Sequence, residues 1–256
     1  MNFLDHCSNG DINKIKQMSL KECNLDRGFR LACYYGHINI VRYLCELYKT
    51  GDYNMINIHA NNEYSFKHAC FCGHINIVRY LCELYKTGKY EKINIHAKDE
   101  NGFRRACDNG HYVIIKYLCE LYKTGDYIKI NIHFLHELGF NWACKYGHYD
   151  IVRYLCELYK TGDYNIINIH AVDERGFIYA CMYGHINIVR YLCELYKTDN
   201  YNIIDIHAKN EDGFRWACYR GHYNISYYLI TLYKKHQYKP IDNYLLVFKK
   251  IDKYLI

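Results

Sequence analysis

The sequence contains almost no proline and no long apolar run. Pro240 is the only proline among the 256 residues, and no apolar run approaches the roughly 20 residues that a membrane helix needs. The sequence therefore predicts no membrane span. The N-terminal segment, Met1–Cys7, also lacks a basic stretch followed by an apolar core, so we expect no secretory signal.

Neither sign of charge dominates the chain. It carries 33 basic and 27 acidic residues, and its pI of about 8.5 lies below the usual value for a dedicated nucleic-acid-binding domain. Half of the residues are hydrophobic, which excludes a disordered chain. Because 256 residues exceed the usual size of one compact core, we expect either two domains or a repeat array.

The dipeptide Gly-His recurs six times at a constant interval of 37 residues, with nearly identical sequence around each copy. This period indicates a repeat protein. A shorter copy opens the chain, where Gly10-Asp11 replaces Gly-His. The six glycines are Gly36, Gly73, Gly110, Gly147, Gly184 and Gly221.

Two segments with the apolar period of an amphipathic helix flank each Gly-His. The segment after it, typified by Ile38–Thr50, is called helix B here. The segment before it, typified by Glu100–Asn109, is called helix A, and Asp99 is its expected N-cap. Apolar and polar residues alternate in Ile56–Ala60, which predicts an extended connector between units.

A single unit of this kind cannot bury its apolar face, but stacked neighbours can do so mutually. We therefore predict an all-α repeat solenoid of about seven helix-turn-helix units. An N-terminal capping repeat is expected at residues 1–25, six 37-residue repeats at 26–235, and a C-terminal capping helix at 236–256.

The pattern Gly-Phe-x-x-Ala-Cys-x-x-Gly-His-x-x-Ile-Val-x-x-Leu-Cys resembles the ankyrin repeat over about residues 1–235. Its Phe stands at the first Leu of the ankyrin Leu-His-x-Ala-Ala, and Leu44-Cys45 stands at the ankyrin Leu-Leu pair. Tetratricopeptide repeats, the main alternative, place different residues and lack this Gly-His turn. The resemblance implies an ankyrin-type solenoid that binds other proteins.

Two departures from the ankyrin pattern concern the connection between units. The Thr-Pro of ankyrin is missing, and about seven extra residues, such as Tyr48–Asn54, follow helix B. We therefore expect the β-hairpin finger to be reduced or absent. The variant, with its bias towards Ile, Asn, Lys and Tyr, resembles the ankyrin-repeat families of giant DNA viruses. We accordingly expect a viral protein that takes part in host–virus interaction.

Fourteen cysteines and no export signal favour a reducing compartment, so we expect the cytoplasm, with the nucleus as the alternative. Adjacent repeats lie roughly 10 Å apart, as packed helices do, which exceeds disulfide and zinc-ligand distances. We expect small buried thiols instead of the alternative metal cluster, and we predict no metal and no cofactor. The recurring cysteines are Cys33, Cys45, Cys70, Cys82, Cys107, Cys119, Cys144, Cys156, Cys181, Cys193 and Cys218.

Eleven of the fifteen histidines also recur with the repeat, whereas an active site is not built several times over. The resemblance to ankyrins implies that the Gly-His imidazole bonds to the backbone and fixes the turn. A second set, from His59 to His207, is expected to hold the connector in the same way. The predicted turn residues are His37, His74, His111, His148, His185 and His222.

Comparison of the copies separates a constant framework from variable positions. In the first helix A, residues 31, 34 and 35 point furthest from the buried side at about 100° per residue. These positions vary and are rich in aromatic residues and Arg, as protein interfaces are. Packing between repeats is the alternative. The predicted partner-binding residues are Tyr34, Tyr35, Phe71, Arg105, Trp142, Lys145, Tyr146, Tyr179, Met182, Trp216, Tyr219 and Arg220.

No phosphate-binding loop, nucleophile elbow or separate Cys–His–Asp arrangement stands outside the repeat, so we predict no enzyme. We expect a monomeric scaffold for an unidentified protein, for example a host protein. One alternative is nucleic-acid binding, in which Arg, Tyr and Trp of the same surface contact bases. Another is an adaptor for a host ubiquitin ligase, although the tail after Lys239 is too short for an F-box.

Overall fold

The computed structural model describes residues 1–198 and 200–234, and helices and turns make up this part of the chain. No β-strand occurs in the described ranges, so the connectors there contain no β-hairpin. The predicted all-α fold class is confirmed. The helices are α1 (Phe3–Asn9), α2 (Ile12–Gln17), α3 (Leu25–Tyr35), α4 (Ile38–Glu46), α5 (Ala60–Cys72), α6 (Ile75–Glu83), α7 (Ala97–Asp108), α8 (Tyr112–Glu120), α9 (Phe134–Tyr146), α10 (Tyr149–Glu157), α11 (Ala171–Met182), α12 (Ile186–Glu194), α13 (Ala208–Tyr219) and α14 (Tyr223–Lys234).

The first full repeat shows how the sequence forms one unit. Helix α3 buries Phe29 and ends at Gly36, whose φ of 87° is readily adopted only by a residue without a side chain. Helix α4 buries Leu44 and continues into a 3-10 turn, Leu47–Thr50. The same elements recur up to α13 and α14, so helices A and B are present where the sequence predicts them.

The start of helix A differs from the prediction. In α7, Lys98, Asp99 and Glu100 have φ values of 50°, 62° and 59°, which form a left-handed turn of three residues with side chains. The residue before the helix is His96, which makes no side-chain capping bond, so the expectation of Asp99 as N-cap is wrong. The same turn recurs in α5, α9, α11 and α13. Its third residue is a buried glutamate in every copy.

The chain divides into two compact units, one of residues 1–131 and one that begins at residue 132. In the first unit, α3 packs against both α1 and α5, and α5 packs against α7. In the second unit, α11 packs against both α9 and α13. Each unit is therefore a stack of helix pairs in chain order, and the predicted helical repeat solenoid is confirmed within each.

The recurring phenylalanine of helix A is the largest of the fully buried side chains among the described residues. Burying such a ring contributes about 1.5–3 kcal/mol relative to exposing it. A Cβ on Gly102 would lie 2.7 Å from the ring of Phe66, so glycine allows α7 to approach α5 closely. The buried rings are Phe29, Phe66, Phe103, Phe140, Phe177 and Phe214.

The chain begins with two short helices, in the segment where an N-terminal capping repeat is predicted. Helices α1 and α2 lie within the predicted capping repeat, residues 1–25, and α3 begins at its last residue, Leu25. Asn2 and Asp5 form a capping box at the start of α1. The capping helix predicted at 236–256 lies outside the described residues. The domain boundaries therefore stay predictions.

Candidate functional site

The Gly-His histidines connect neighbouring repeats. Nε2 of His74 donates to the backbone carbonyl of Tyr34 at 2.9 Å. Tyr34 lies in the last turn of α3, where helical carbonyls lack a partner within the helix. The same imidazole lies over Gly36, because a Cβ there would be 2.6 Å from Cε1 of His74. The expected backbone hydrogen bond is present, but it joins two repeats instead of closing the turn of its own repeat.

Four of the other five Gly-His histidines are placed like His74, and His148 is described by the contacts of its own repeat. His148 directly precedes α10 as its N-cap residue, and its backbone N–H donates to Ala143 at 2.9 Å. As in His74, the imidazole Nε2 of four other histidines bonds to a backbone carbonyl of the preceding helix A at 2.8 to 3.2 Å. The pairs are His37 with Ser8, His111 with Phe71, His185 with Lys145 and His222 with Met182.

A buried glutamate makes a second connection, which the sequence analysis missed. Glu63 is 5% exposed, and its Oε1 accepts from Nδ1 of His59 at 2.8 Å and from the backbone N–H of Asn94 in the next repeat at 3.1 Å. The glutamate recurs with the same 37-residue interval as Gly-His, so the signal was present in the sequence. Its counterparts are Asp26, Glu100, Glu137, Glu174 and Glu211.

The recurring thiols lie in the core. Ten of the eleven are at most 1% exposed, and Cys218 is half-buried. Burial raises the pKa of Cys45 and of Cys82 to about 12, so both stay protonated, whereas metals and electrophiles react with the thiolate. Buried thiols, as predicted, are confirmed. Within residues 1–198 and 200–234, no group of three or more His, Cys, Asp or Glu side chains could hold a metal ion.

The predicted binding residues of the first unit form an aromatic cluster. Tyr34 and Tyr35 are 36% and 50% exposed, and their rings meet edge to face at 5.0 Å. The ring of His68 lies 5.5 Å from Tyr34 and 6.3 Å from Phe71, and so bridges two repeats. We call Tyr34, Tyr35, His68, Phe71 and Arg105 the first surface.

The predicted binding residues of the second unit form a cluster of rings and cations. Nζ of Lys145 lies 4.8 Å from the ring centroid of Tyr146 and 5.6 Å from that of Tyr183. The guanidinium of Arg220 lies 4.9 Å from the ring centroid of Tyr183 and 5.7 Å from that of Trp216. We call this cluster the cationic surface, which consists of Lys145, Tyr146, Tyr179, Tyr183, Trp216, Tyr219 and Arg220.

The two surfaces differ in charge. On the first surface, Arg105 forms an ion pair with Asp108 at 3.3 Å. On the cationic surface, neither Lys145 nor Arg220 has a carboxylate at ion-pair distance among the described residues. A hydrogen bond with Tyr146 raises the pKa of Lys145, so this side chain is charged at neutral pH.

The predicted residues differ in how far they reach into solvent. Tyr219 is 82% exposed and Tyr146 is 47% exposed. Trp142, Met182 and Trp216 are half-buried, which agrees in part with the alternative of packing between repeats.

Two residues of the surfaces were not among those predicted to bind. His68 and Tyr183 also occupy variable helix A positions, and their rings connect the other members of each cluster. Their positions in the repeat, equivalent to Leu31 and Tyr35, were the signal that could have identified them.

Within the part of the chain that the structure describes, no helix has the length and apolar character to cross a bilayer. The helices instead have short apolar faces that the neighbouring repeats cover.

Comparison with known proteins relates part of the chain to ankyrin repeats. The family model for ankyrin repeats (3 copies) matches residues 3–99. No curated protein matches the chain. Among solved structures, an ankyrin repeat family protein from Legionella pneumophila is similar at 19% identity and a TM-score of 0.40, over 90% of this chain and 68% of that protein. Residues 3–99 are thus similar to ankyrin repeats, and the later 37-residue copies continue the same sequence pattern.

Proposed function

We propose that this chain is a non-catalytic scaffold that binds another protein through the outward positions of helix A. The observation that carries the proposal is a contrast within the repeat. The recurring Phe, Cys, Gly, His and Glu are buried or bonded to a neighbouring repeat, whereas the variable positions expose aromatic rings, up to 82% for Tyr219. Exposed Tyr and Trp are enriched at protein interfaces. Ankyrin repeats are generally protein-binding and non-catalytic, which supports the same function.

Capture of partners by variants of the full chain tests this proposal. Tyr146→Ala/Tyr219→Ala removes two exposed rings from helix A positions, and Tyr112→Ala/Tyr227→Ala removes two exposed rings from helices B. The captured partners are crosslinked and identified by mass spectrometry. We expect wild type and the helix B variant to capture the same proteins, and the helix A variant to lose them. Equal recovery by both variants would show that the binding surface lies elsewhere.

Nucleic-acid binding is the second candidate, because Lys145 and Arg220 lie over aromatic rings in an arrangement that suits stacked bases. Its test is the dependence of oligonucleotide affinity on salt. A linear fall of log K with log salt, at about −0.7 per contacted phosphate of a single strand, would favour it. Affinity that changes little with salt would exclude it.

The composition supports a further part of the proposal, an origin in a giant DNA virus. The chain has 31 tyrosines and one proline, as AT-rich codons would give. The partner is then a host protein in the cytoplasm or nucleus, and the chain acts as a monomer. Sedimentation of the purified chain and localisation of a tagged copy in host cells test these points. A stable dimer or a secreted product would contradict them.

A further inference from the structure

We infer that the cationic surface binds an acidic polypeptide segment, whose carboxylates reach Lys145 and Arg220 while its apolar side chains lie on the tyrosine rings. The inference rests on the proposed function and specifies the chemistry of the partner. It applies to the second unit alone, because the only arginine of the first surface already has a carboxylate at 3.3 Å.

The two cations are not part of the repeat framework. Each occupies the end of helix A, at a position where no other copy of the repeat carries Lys or Arg. The fold therefore does not require a positive charge at either place. The residues equivalent to Lys145 are Tyr34, Phe71, Asp108, Met182 and Tyr219, and those equivalent to Arg220 are Tyr35, Cys72, Asn109, Tyr146 and Tyr183.

The geometry brings the two cations, from repeats that are not adjacent in sequence, to one place. Lys145 and Arg220 both lie over the ring of Tyr183, at 5.6 Å and 4.9 Å from its centroid. A single short segment can therefore contact both. Neither cation has to leave an internal carboxylate when it binds an external one, so the full attraction is available to the partner.

The balance of charge and apolar area favours a polypeptide over a nucleic acid. Two cations can neutralise only about two phosphates, whereas contacts with the phosphates supply a large share of the affinity for nucleic acid. The rest of the surface is aromatic, including Tyr219, which is 82% exposed. Large exposed rings beside a few charges are typical of sites that bind protein segments.

Fluorescence anisotropy with the full chain tests the inference. The probes are a labelled random copolymer of glutamate and tyrosine, a copolymer of lysine and tyrosine, and oligothymidylate. Lys145→Gln/Arg220→Gln removes the two charges of the surface. Lys160→Gln/Arg153→Gln is the matched control, because it removes the same two charges from the helix B region of the same unit, where the pairs with Glu157 and Asp150 are exposed.

We expect the glutamate–tyrosine copolymer to bind wild type and the control equally, and to bind the surface variant about tenfold more weakly, since two exposed ion pairs are lost together. The lysine–tyrosine copolymer should not bind. Failure of the acidic copolymer to bind, or equal binding to all three proteins, would overturn the inference.

The outcomes also separate this inference from the proposed function. If the charge variant binds like wild type while Tyr146→Ala/Tyr219→Ala still loses captured proteins, the acidic chemistry is wrong and the protein-binding surface stands. If oligothymidylate binds more tightly than the acidic copolymer and loses affinity in the charge variant, the surface binds nucleic acid and both proposals fail.

Discussion

Glycine in place of Val172 should stabilise the protein. Val172 lies in the left-handed turn that opens α11, at φ 55° and ψ 51°. This conformation costs a residue with a side chain about 1–2 kcal/mol, and a β-branched residue adopts it least readily. Glycine removes this cost but gains about 0.5–1 kcal/mol of freedom in the unfolded chain. We therefore expect a net increase of about 0.5–1 kcal/mol in the free energy of unfolding.

Urea unfolding followed by far-ultraviolet circular dichroism measures this change. The matched control is Val113→Gly, because Val113 is 54% exposed within the right-handed helix α8. There the same substitution should destabilise by a few tenths of a kcal/mol, about the difference between valine and glycine in helix propensity. Val172→Ala should fall between wild type and Val172→Gly. If both glycine variants are destabilised alike, residue 172 is not left-handed and the argument is refuted.

Three further predictions follow from the connections between repeats and from the buried thiols. Glu137→Ala should destabilise the protein by about 3 kcal/mol in the same urea assay, because His133 and the backbone N–H of Asn168 lose a charged acceptor worth about 1.5–3 kcal/mol each. Glu157→Ala, on the exposed face, should change the free energy of unfolding by less than about 0.5 kcal/mol. The hydrogen bond that His170 donates to the carboxylate of Glu174 raises the pKa of His170. The stabilisation from charged His170 is therefore full below about pH 6.5, the pKa of histidine in the unfolded chain, and is lost as the pH rises through the higher pKa of the folded chain. The melting temperature of wild type should accordingly exceed that of His170→Gln most at low pH. A constant difference across neutral pH would contradict this. Alkylation of the native chain, followed by mass spectrometry, should first modify the three half-buried thiols, Cys23, Cys72 and Cys218. Early modification of a fully buried thiol would contradict the packed core.

The sequence was sufficient to predict the repeat and its helices. The 37-residue period and the apolar spacing placed helices A and B, because both patterns follow from which side chains must be buried. The same principle separated the variable positions of helix A, and the structure brings them together within each unit. The direction of the Gly-His bond was not predictable, because a period shows that a residue recurs but not which neighbour it contacts.

The start of helix A shows a different limit. Its left-handed turn contains residues such as Leu135 and Val172, which do not favour positive φ, so local propensity indicates nothing unusual. The conformation accompanies a tertiary contact, the bond of the buried glutamate to the next repeat. Glu137 itself could have been found, because an acidic residue at a strict interval is as informative as the Gly-His dipeptide.

The two connections have consequences for how such a chain can grow. Within each unit, a repeat such as that of Glu63 and His74 reaches back to the repeat before it with a histidine and forward to the repeat after it with a glutamate. The glycine and the backbone N–H that these two side chains contact belong to the neighbouring repeats. One 37-residue copy therefore presents the same contacting groups to the repeat before it and to the repeat after it. In-frame duplication or loss of a whole copy within a unit would therefore create a junction of the same design, while the outward residues would be free to change.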